Sequence, residues 1–259
     1  MVEAAADAGR AVYPSLKGKR VLITGGGSGI GAGLVEGFAR QGADVMFFDI
    51  VEEESRALVE TLAKKGRAPR FERVDLFDIE ATKRVIAQLI AEGGPIDILV
   101  NNAASDDRHT VEGVTEEYWD NRLNVNLRHK FFCAQAVIPG MRAKGGGAII
   151  NLGSISWHLG LPELVLYQTA KASIEGMTRS LARELGPDNI RVTCVVPGNV
   201  RTPRQLKWYT PEGEAEIVAA QCLKGRLVPE DVAALVMFLA SDDARLMTGH
   251  EYFVDAGWR

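Results

Sequence analysis

Three features of the 259-residue chain predict an α/β fold, a parallel sheet doubly wound with helices on both faces in a single domain. Apolar runs of strand length alternate with helix-period stretches from Lys19 to about Val254, the signature of repeated β-α units. The first of these strands runs straight into a glycine-rich turn, T-G-G-G-S-G-I-G. The second ends on a carboxylate, Asp49, about twenty residues after those glycines. With 46% hydrophobic residues the chain can bury a large core, and α/β proteins of this length are often one domain.

Composition narrows the function. A net charge of -4, with basic residues scattered rather than clustered, argues against a nucleic-acid surface. No stretch of eighteen consecutive apolar residues is present, and the start, M-V-E-A-A-A-D-A-G-R, has no apolar segment of signal-peptide length. Neither membrane nor export is expected. Cys133, Cys194 and Cys222 lie far apart without metal-ligand spacing and read as reduced thiols of a cytoplasmic protein. The four histidines form no H-E-x-x-H pattern, so no catalytic metal is expected.

Residues 1–17 are small and polar and read as a flexible or loosely docked arm ahead of a catalytic domain, 18–259. Val21-Leu22-Ile23 forms the first buried strand, and a helix follows from about Ile30 to Gln41. Between them Gly25, Gly29 and Gly31 allow a tight turn and close backbone approach. Ser28 and Ile30 complete a loop at a helix N-terminus, whose free N–H groups suit a pyrophosphate. An ordinary glycine-rich loop is the alternative, and the next strand, Asp44 to Asp49, weighs against it. A carboxylate at that point can accept hydrogen bonds from both adenosine ribose hydroxyls and repels a 2′-phosphate. Ile50 follows, with no arginine or lysine beside it, so this Rossmann-type pattern points to NAD rather than NADP.

A charged helix from about Glu52 to Lys65, a strand Arg70 to Asp75 and a helix from about Ile79 to Glu92 continue the alternation. Asp75 could accept from an adenine amino group with the Leu76 backbone helping, or cap the next helix, although Asp78 is better placed to cap. The strand Ile96 to Val100 leads into N-N-A-A. Asn101 and Asn102 can tie strand ends together, while small Ala103 and Ala104 let a cofactor approach. A long helical stretch from about Thr115 to Lys144 contains Asn124 and Asn126, poor helix-interior residues able to kink it. Two more buried strands, A-I-I-N-L and Asn189 to Val196, follow, and the second ends in P-G-N-V-R-T-P. Residues 201–226, with Trp208 and Tyr209, break the alternation and read either as a flap over a pocket or as a surface excursion. The helix Pro229 to Ala240 and the strand Glu251 to Val254 end the series.

Asn151 to Lys171 joins a hydroxyl, a phenol and an ammonium in one strand-loop-helix unit. Tyr167 and Lys171 are four apart and share a helix face. An ammonium about 5 Å from a phenol, at an effective dielectric of about 20, favours phenolate by roughly 3 kcal/mol. That would make Tyr167 a general base nearer neutral pH. Taken alone, the pair could equally be a surface contact.

The ordered set T-G-G-G-S-G-I-G, Asp75, N-N-A-A, Asn126, Ser154, Tyr167-x-x-x-Lys171 and P-G-N-V-R-T resembles the short-chain dehydrogenases/reductases. The resemblance implies seven parallel strands in the order 3-2-1-4-5-6-7, a nicotinamide cofactor and a homotetramer. Tyr167 would be the acid/base, Lys171 the group that lowers its pKa and binds the nicotinamide ribose, Ser154 the substrate-orienting hydroxyl and Asn126 the holder of a relay water. Gly25, Ser28, Gly29, Ile30, Gly31, Asp49, Asp75, Leu76, Asn102, Ala103, Pro197, Gly198, Val200 and Thr202 would line the cofactor. Two departures stand out: Ala104 where the family carries glycine after N-N-A, and Ala256-Gly257 in place of its C-terminal glycine pair.

Within that family, G-S-I-S-W-H-L-G, N-V-N-L-R-H, Q-L-K-W-Y-T-P-E-G-E-A and T-G-H-E-Y-F-V-D-A-G-W-R resemble bacterial aldose 1-dehydrogenases acting on D-xylose or L-arabinose. Asp106, Ser154, Ser156, His158, Tyr167, Gln168, Asn199 and Trp208 could then meet the sugar, although His158 could equally be a loop histidine and Trp208 a core residue. The implied reaction is oxidation at C1, with Tyr167 taking the anomeric proton as C1 passes hydride to NAD+ to give a lactone. An NAD-dependent secondary-alcohol dehydrogenase or 3-oxoacyl reductase on the same scaffold is the alternative. A cofactor-sensing module without turnover is a weaker one, because Ser154, Tyr167 and Lys171 are all present.

Overall fold

Residues 9–66, 68–207 and 209–258 are described by a computed structural model. Seven strands, β1 (Arg20–Thr24), β2 (Asp44–Asp49), β3 (Arg70–Arg73), β4 (Ile98–Asn101), β5 (Gly147–Leu152), β6 (Ile190–Pro197) and β7 (Glu251–Val254), make one sheet. Every pairing is parallel and the order is β3-β2-β1-β4-β5-β6-β7, the order that the resemblance implied. The chain leaves β1 toward β2 on one side and returns as β4 on the other. That reversal opens a crevice at the carboxyl ends of β1 and β4.

Alternation along the strands sorts the core into two layers. Val21 and Ile23 face α1 (Gly29–Arg40) and a late helix, Pro229–Ala240, in a cluster with Leu34, Phe38, Val232 and Val236. Leu22 and Leu99 face the other way, toward α3 (Ile79–Gly93), α5 (His129–Lys144) and α7 (Val165–Leu185). On the α1 side α2 (Glu52–Ala63) adds Leu62.

The long helical stretch from 115 to 144 is interrupted at the asparagines expected to kink it. α4 (Glu116–Leu123) passes through a π-helical turn, Asn124–Arg128, into α5. Asn126 supplies the reason: its Nδ2 donates to the Arg122 carbonyl at 2.9 Å and to Ser105 O at 3.0 Å, while its Oδ1 accepts from Ser105 N at 2.8 Å. A side chain that takes a carbonyl of its own helix loosens the regular ladder there. Smaller shifts occur at β3, which ends at Arg73 instead of 75, and at β4, which begins at Ile98 instead of 96.

The part of the N-terminal arm that is described is docked. Leu16 is buried, Tyr13 N donates to Gln41 Oε1 at 2.8 Å, and Gln41 Nε2 returns a bond to Ala11 O. The expectation of looseness up to residue 17 is therefore corrected for residues 10–17; residues 1–8 lie outside the described set.

Candidate active site

A cleft of about 550 Å³ lies along the carboxyl ends of the strands and is lined from β1, β2, β4, β5 and β6 and the loops after them. The glycine loop forms one end. A Cβ on Gly31 would run into the Gly25 carbonyl oxygen, so only glycine lets the first turn of α1 sit against β1. Asp49 lines the cleft; its Oδ2 accepts from Gly27 N at 2.8 Å and its Oδ1 from Val51 N at 3.0 Å, so each oxygen can still accept another bond. Asp75 and Leu76 line the same end; Asp75 Oδ1 accepts from Phe77 N, and the helix cap is Asp78, which accepts from Ala81 N.

The strand-end asparagines tie β1, β4 and β5. Asn101 Nδ2 donates to Asn151 Oδ1 at 2.9 Å, and Asn102 Nδ2 donates to Thr24 O and Gly25 O at 3.1 and 2.8 Å. Asn102, Ala103 and Ala104 all face the cleft, where Ala104 adds a methyl. Ser28, Gly29 and Ile30 line it from the glycine loop, Pro197 from the end of β6, and Gly198, Val200 and Thr202 from beyond it.

At the other end β5 hands over to a short helix, α6 (Ile155–Leu159), capped by Ser154. Ser154 Oγ accepts from Ser156 N at 3.2 Å and lies 2.9 Å from Ser156 Oγ. Tyr167 and Lys171, one turn apart on α7, join the serines in the cleft. Lys171 Nζ donates to Leu152 O at 2.9 Å and sits 5.3 Å from the Tyr167 ring centroid.

The electrostatic expectation needs correction. Burial pushes the Tyr167 phenol well above its usual value; the Ser154 hydrogen bond and Arg204 pull the other way without overcoming it, and Asp106 adds to the rise. Burial also brings Lys171 down to about 8, which leaves it mostly an ammonium at neutral pH. The spacing argument counted the neighbouring charge and omitted desolvation.

Other expected contacts turn away. His158 Nε2 and Trp157 Nε1 both donate to Glu175 Oε1, at 3.1 and 2.8 Å, and the His158 ring packs 3.9 Å from Trp157. Neither lines the cleft; together they pin α6 to α7. Gln168 is likewise spent on Leu161 O, at 2.5 Å. Asn126 is a different case: its side chain holds Ser105, and its neighbour Val125 lines the cleft. Trp208 lies outside the described residues. Asp106, Ser156 and Asn199 do line the cleft. Asp106 is paired with Arg204 Nη2 at 2.9 Å, and Asn199 is held by Tyr209 Oη and Arg226.

A model of the family described as enoyl-(acyl carrier protein) reductase matches residues 25–259. The D-xylose 1-dehydrogenase of Caulobacter vibrioides (strain NA1000 / CB15N) is 71% identical over 96% of this chain and 99% of its own. The chain belongs to the short-chain dehydrogenase/reductase family. A Rhizobium meliloti (strain 1021) protein assigned as a galactose dehydrogenase is 51% identical, covering 95% of this chain and 96% of its own. Among solved structures, one from Sinorhizobium meliloti 1021 assigned to the short-chain alcohol dehydrogenases superposes with a TM-score of 0.89 at 33% identity, over 95% of this chain and 98% of that one. A blue fluorescent protein from a metagenomic library, solved with NADPH, gives 0.87 at 35% identity over 94% and 99%.

Membership makes this short-chain dehydrogenase/reductase an oxidoreductase with a nicotinamide cofactor. The glycine cradle and the free lone pairs of Asp49 fit an adenosine diphosphate group. Sequence patterns missed several residues of the site. Lys130 is fully buried behind β4, its Nζ donating to Asn101 O at 2.7 Å and Ala103 O at 3.1 Å. Arg204, Arg108 and Trp258 line the cleft, and nothing local in the chain marks them.

Proposed function

We propose that the protein oxidises C1 of an aldopyranose, L-arabinose or D-xylose with D-galactose as a further candidate, to the lactone with NAD+. The observation that carries this reading is the shared cleft: Ser154, Tyr167 and Lys171 open onto the space that Asp49 and the glycine loop also line. When bound, the oxidised nicotinamide accepts hydride from C1 and brings positive charge beside the phenol. Tyr167 would take the proton of the anomeric hydroxyl, Ser154 would orient that hydroxyl, and Lys171, fixed on Leu152 O, would hold the nicotinamide ribose. Thr202, Val200, Pro197 and Gly198, which line the same cleft, would help to hold the cofactor.

The substrate end supports a neutral polyhydroxylated ligand. Its two lining arginines are already paired, Arg204 with Asp106 at 2.9 Å and Arg108 with Glu163 at 3.5 Å, so neither is reserved for a carboxylate or phosphate. Ser154 and Ser156 place hydroxyls along that end, beside an Asn199 amide held by Tyr209 and Arg226. The resemblance to a D-xylose enzyme and a galactose enzyme agrees. For the cofactor, Asp49 supports NAD, since a carboxylate there repels a 2′-phosphate. Arg73, opposite Asp49 in β3, points its guanidinium at Glu52, 3.9 Å away, and does not line the cleft.

A second reading has its own observation. Leu159, Leu161 and Leu164 also line the cleft and would suit an apolar secondary alcohol or ketone. Initial rates at 340 nm with L-arabinose, D-xylose, D-galactose, D-glucose and cyclohexanol, each with NAD and NADP, separate the two. The proposal expects pentose turnover with NAD to dominate. Turnover of cyclohexanol with no aldose activity would replace it with the second reading.

We extend the proposal to a cytoplasmic homotetramer in which residues 201–226 act as a flap. Exposed Trp119 on α4 and Phe131 on α5 support burial against another copy. A light-scattering mass of one chain would remove that part.

A further inference from the structure

We infer that Trp258, the penultimate residue, forms the apolar platform of the substrate site, the surface on which the C–H face of a sugar ring lies. This rests on the aldose reading above.

Trp258 lines the cleft and packs against the small cluster of Ile155, Ile174, Cys194 and Val196. Ile155 directly follows Ser154, so the indole stands at the hydroxyl-bearing end and not at the end of Asp49 and Asp75. It is only partly buried, which leaves part of its surface open to the cleft. Backbone contacts fix its place. The Ala256 carbonyl accepts from Cys222 N and Leu223 N at 2.9 and 3.0 Å, and Trp258 N donates to Asp255 O at 3.2 Å. Gly257 takes φ +76°, and a Cβ there would meet Cys222 Cβ at 2.9 Å. The tail is thereby stapled to the chain just beyond the helix Pro211–Ala220, and the indole is delivered by the main chain.

A pyranose presents hydroxyls at its edge and a patch of C–H groups on its face. Such a patch wants a flat apolar wall, while the hydroxyls of Ser154 and Ser156 suit the edge. Trp258 supplies that wall with little rotamer entropy to lose.

The test uses the full-length enzyme, NADH and 1,5-anhydroxylitol, which is D-xylose lacking its anomeric hydroxyl and cannot turn over. Trp258→Ala is expected to raise the Kd of this probe and the KM for D-xylose by about tenfold, the weight of one ring face of apolar area. The KM for NAD should stay within about twofold, and Trp258→Phe, which keeps a flat ring, within about threefold of the wild type for the sugar. An unchanged sugar KM in a folded Trp258→Ala enzyme would overturn the platform. So would an equal loss in the alanine and phenylalanine variants, or a parallel rise in the KM for NAD, because each reports a structural role. Wild-type enzyme inert toward every aldose would instead strike the parent reading.

Discussion

Desolvation favours the neutral phenol of Tyr167, although the residue lines the cleft. Its base form is therefore scarce at neutral pH and grows with each unit of pH, so log kcat/KM for the sugar should rise with a slope near one from about pH 6. Lys171 starts to lose its proton near 8, and with it the charge that favours phenolate, so the climb should flatten there. Lys171→Met removes a cation beside the phenol, raises its pKa further and should shift the rising limb to higher pH. A rate independent of pH between 6 and 9 would contradict a phenolate base. Tyr167→Phe should abolish turnover while the Kd for NADH stays within about twofold; loss of both would mean that the hydroxyl is structural. For Asp49→Ala, the NAD/NADP ratio of kcat/KM should fall by at least about tenfold, the equivalent of 1.4 kcal/mol of lost discrimination. An unchanged ratio would contradict the ribose contact.

Among the elements, those whose shape comes from their own residues were legible in the sequence. The glycine turn after Val21-Leu22-Ile23, the tie of Asn101 and Asn102, the cap at Asp78 and the break near Asn126 all follow from residue types acting within a few positions. What depended on distant partners was not. His158 turns from the cleft because Glu175, seventeen residues on, takes its proton donor, and Gln168 turns to Leu161 O. Nothing near Lys130 in sequence marks the two strand-end carbonyls that hold it. The C-terminal departure from the family pattern has a local cost. Ala256 adopts φ +54°, a left-handed conformation that disfavours a Cβ by about 1–2 kcal/mol. Glycine's extra freedom in the unfolded chain returns part of that. Ala256→Gly should therefore raise stability by roughly 0.5–1 kcal/mol in urea unfolding. A loss of stability would show that the methyl packs well enough to outweigh its backbone strain.

Across the whole molecule the cleft is assembled from both halves of the sheet. The glycine loop and Asp49 belong to the β1-β2 side, Ser154, Tyr167 and Lys171 follow β5, and Thr202 lies beyond β6, with Arg204 reaching back to Asp106 across the opening. A dinucleotide that touches all of these binds only the folded chain. At a hundred times its Kd, such a ligand adds about 2.7 kcal/mol to stability. For a domain of this size that is a rise in Tm of roughly 5–10 °C. The rise should occur with NADH in the wild type, shrink in Asp49→Ala and vanish in Gly31→Ala, whose added Cβ would meet the Gly25 carbonyl and push α1 from β1. Slowed amide exchange should accompany it at 25–31 and at 197–206 together, since one ligand bridges both loops. Protection confined to the first loop would mean that the nicotinamide half never reaches Tyr167, and a Tm insensitive to NADH would mean that the cleft is not the dinucleotide site.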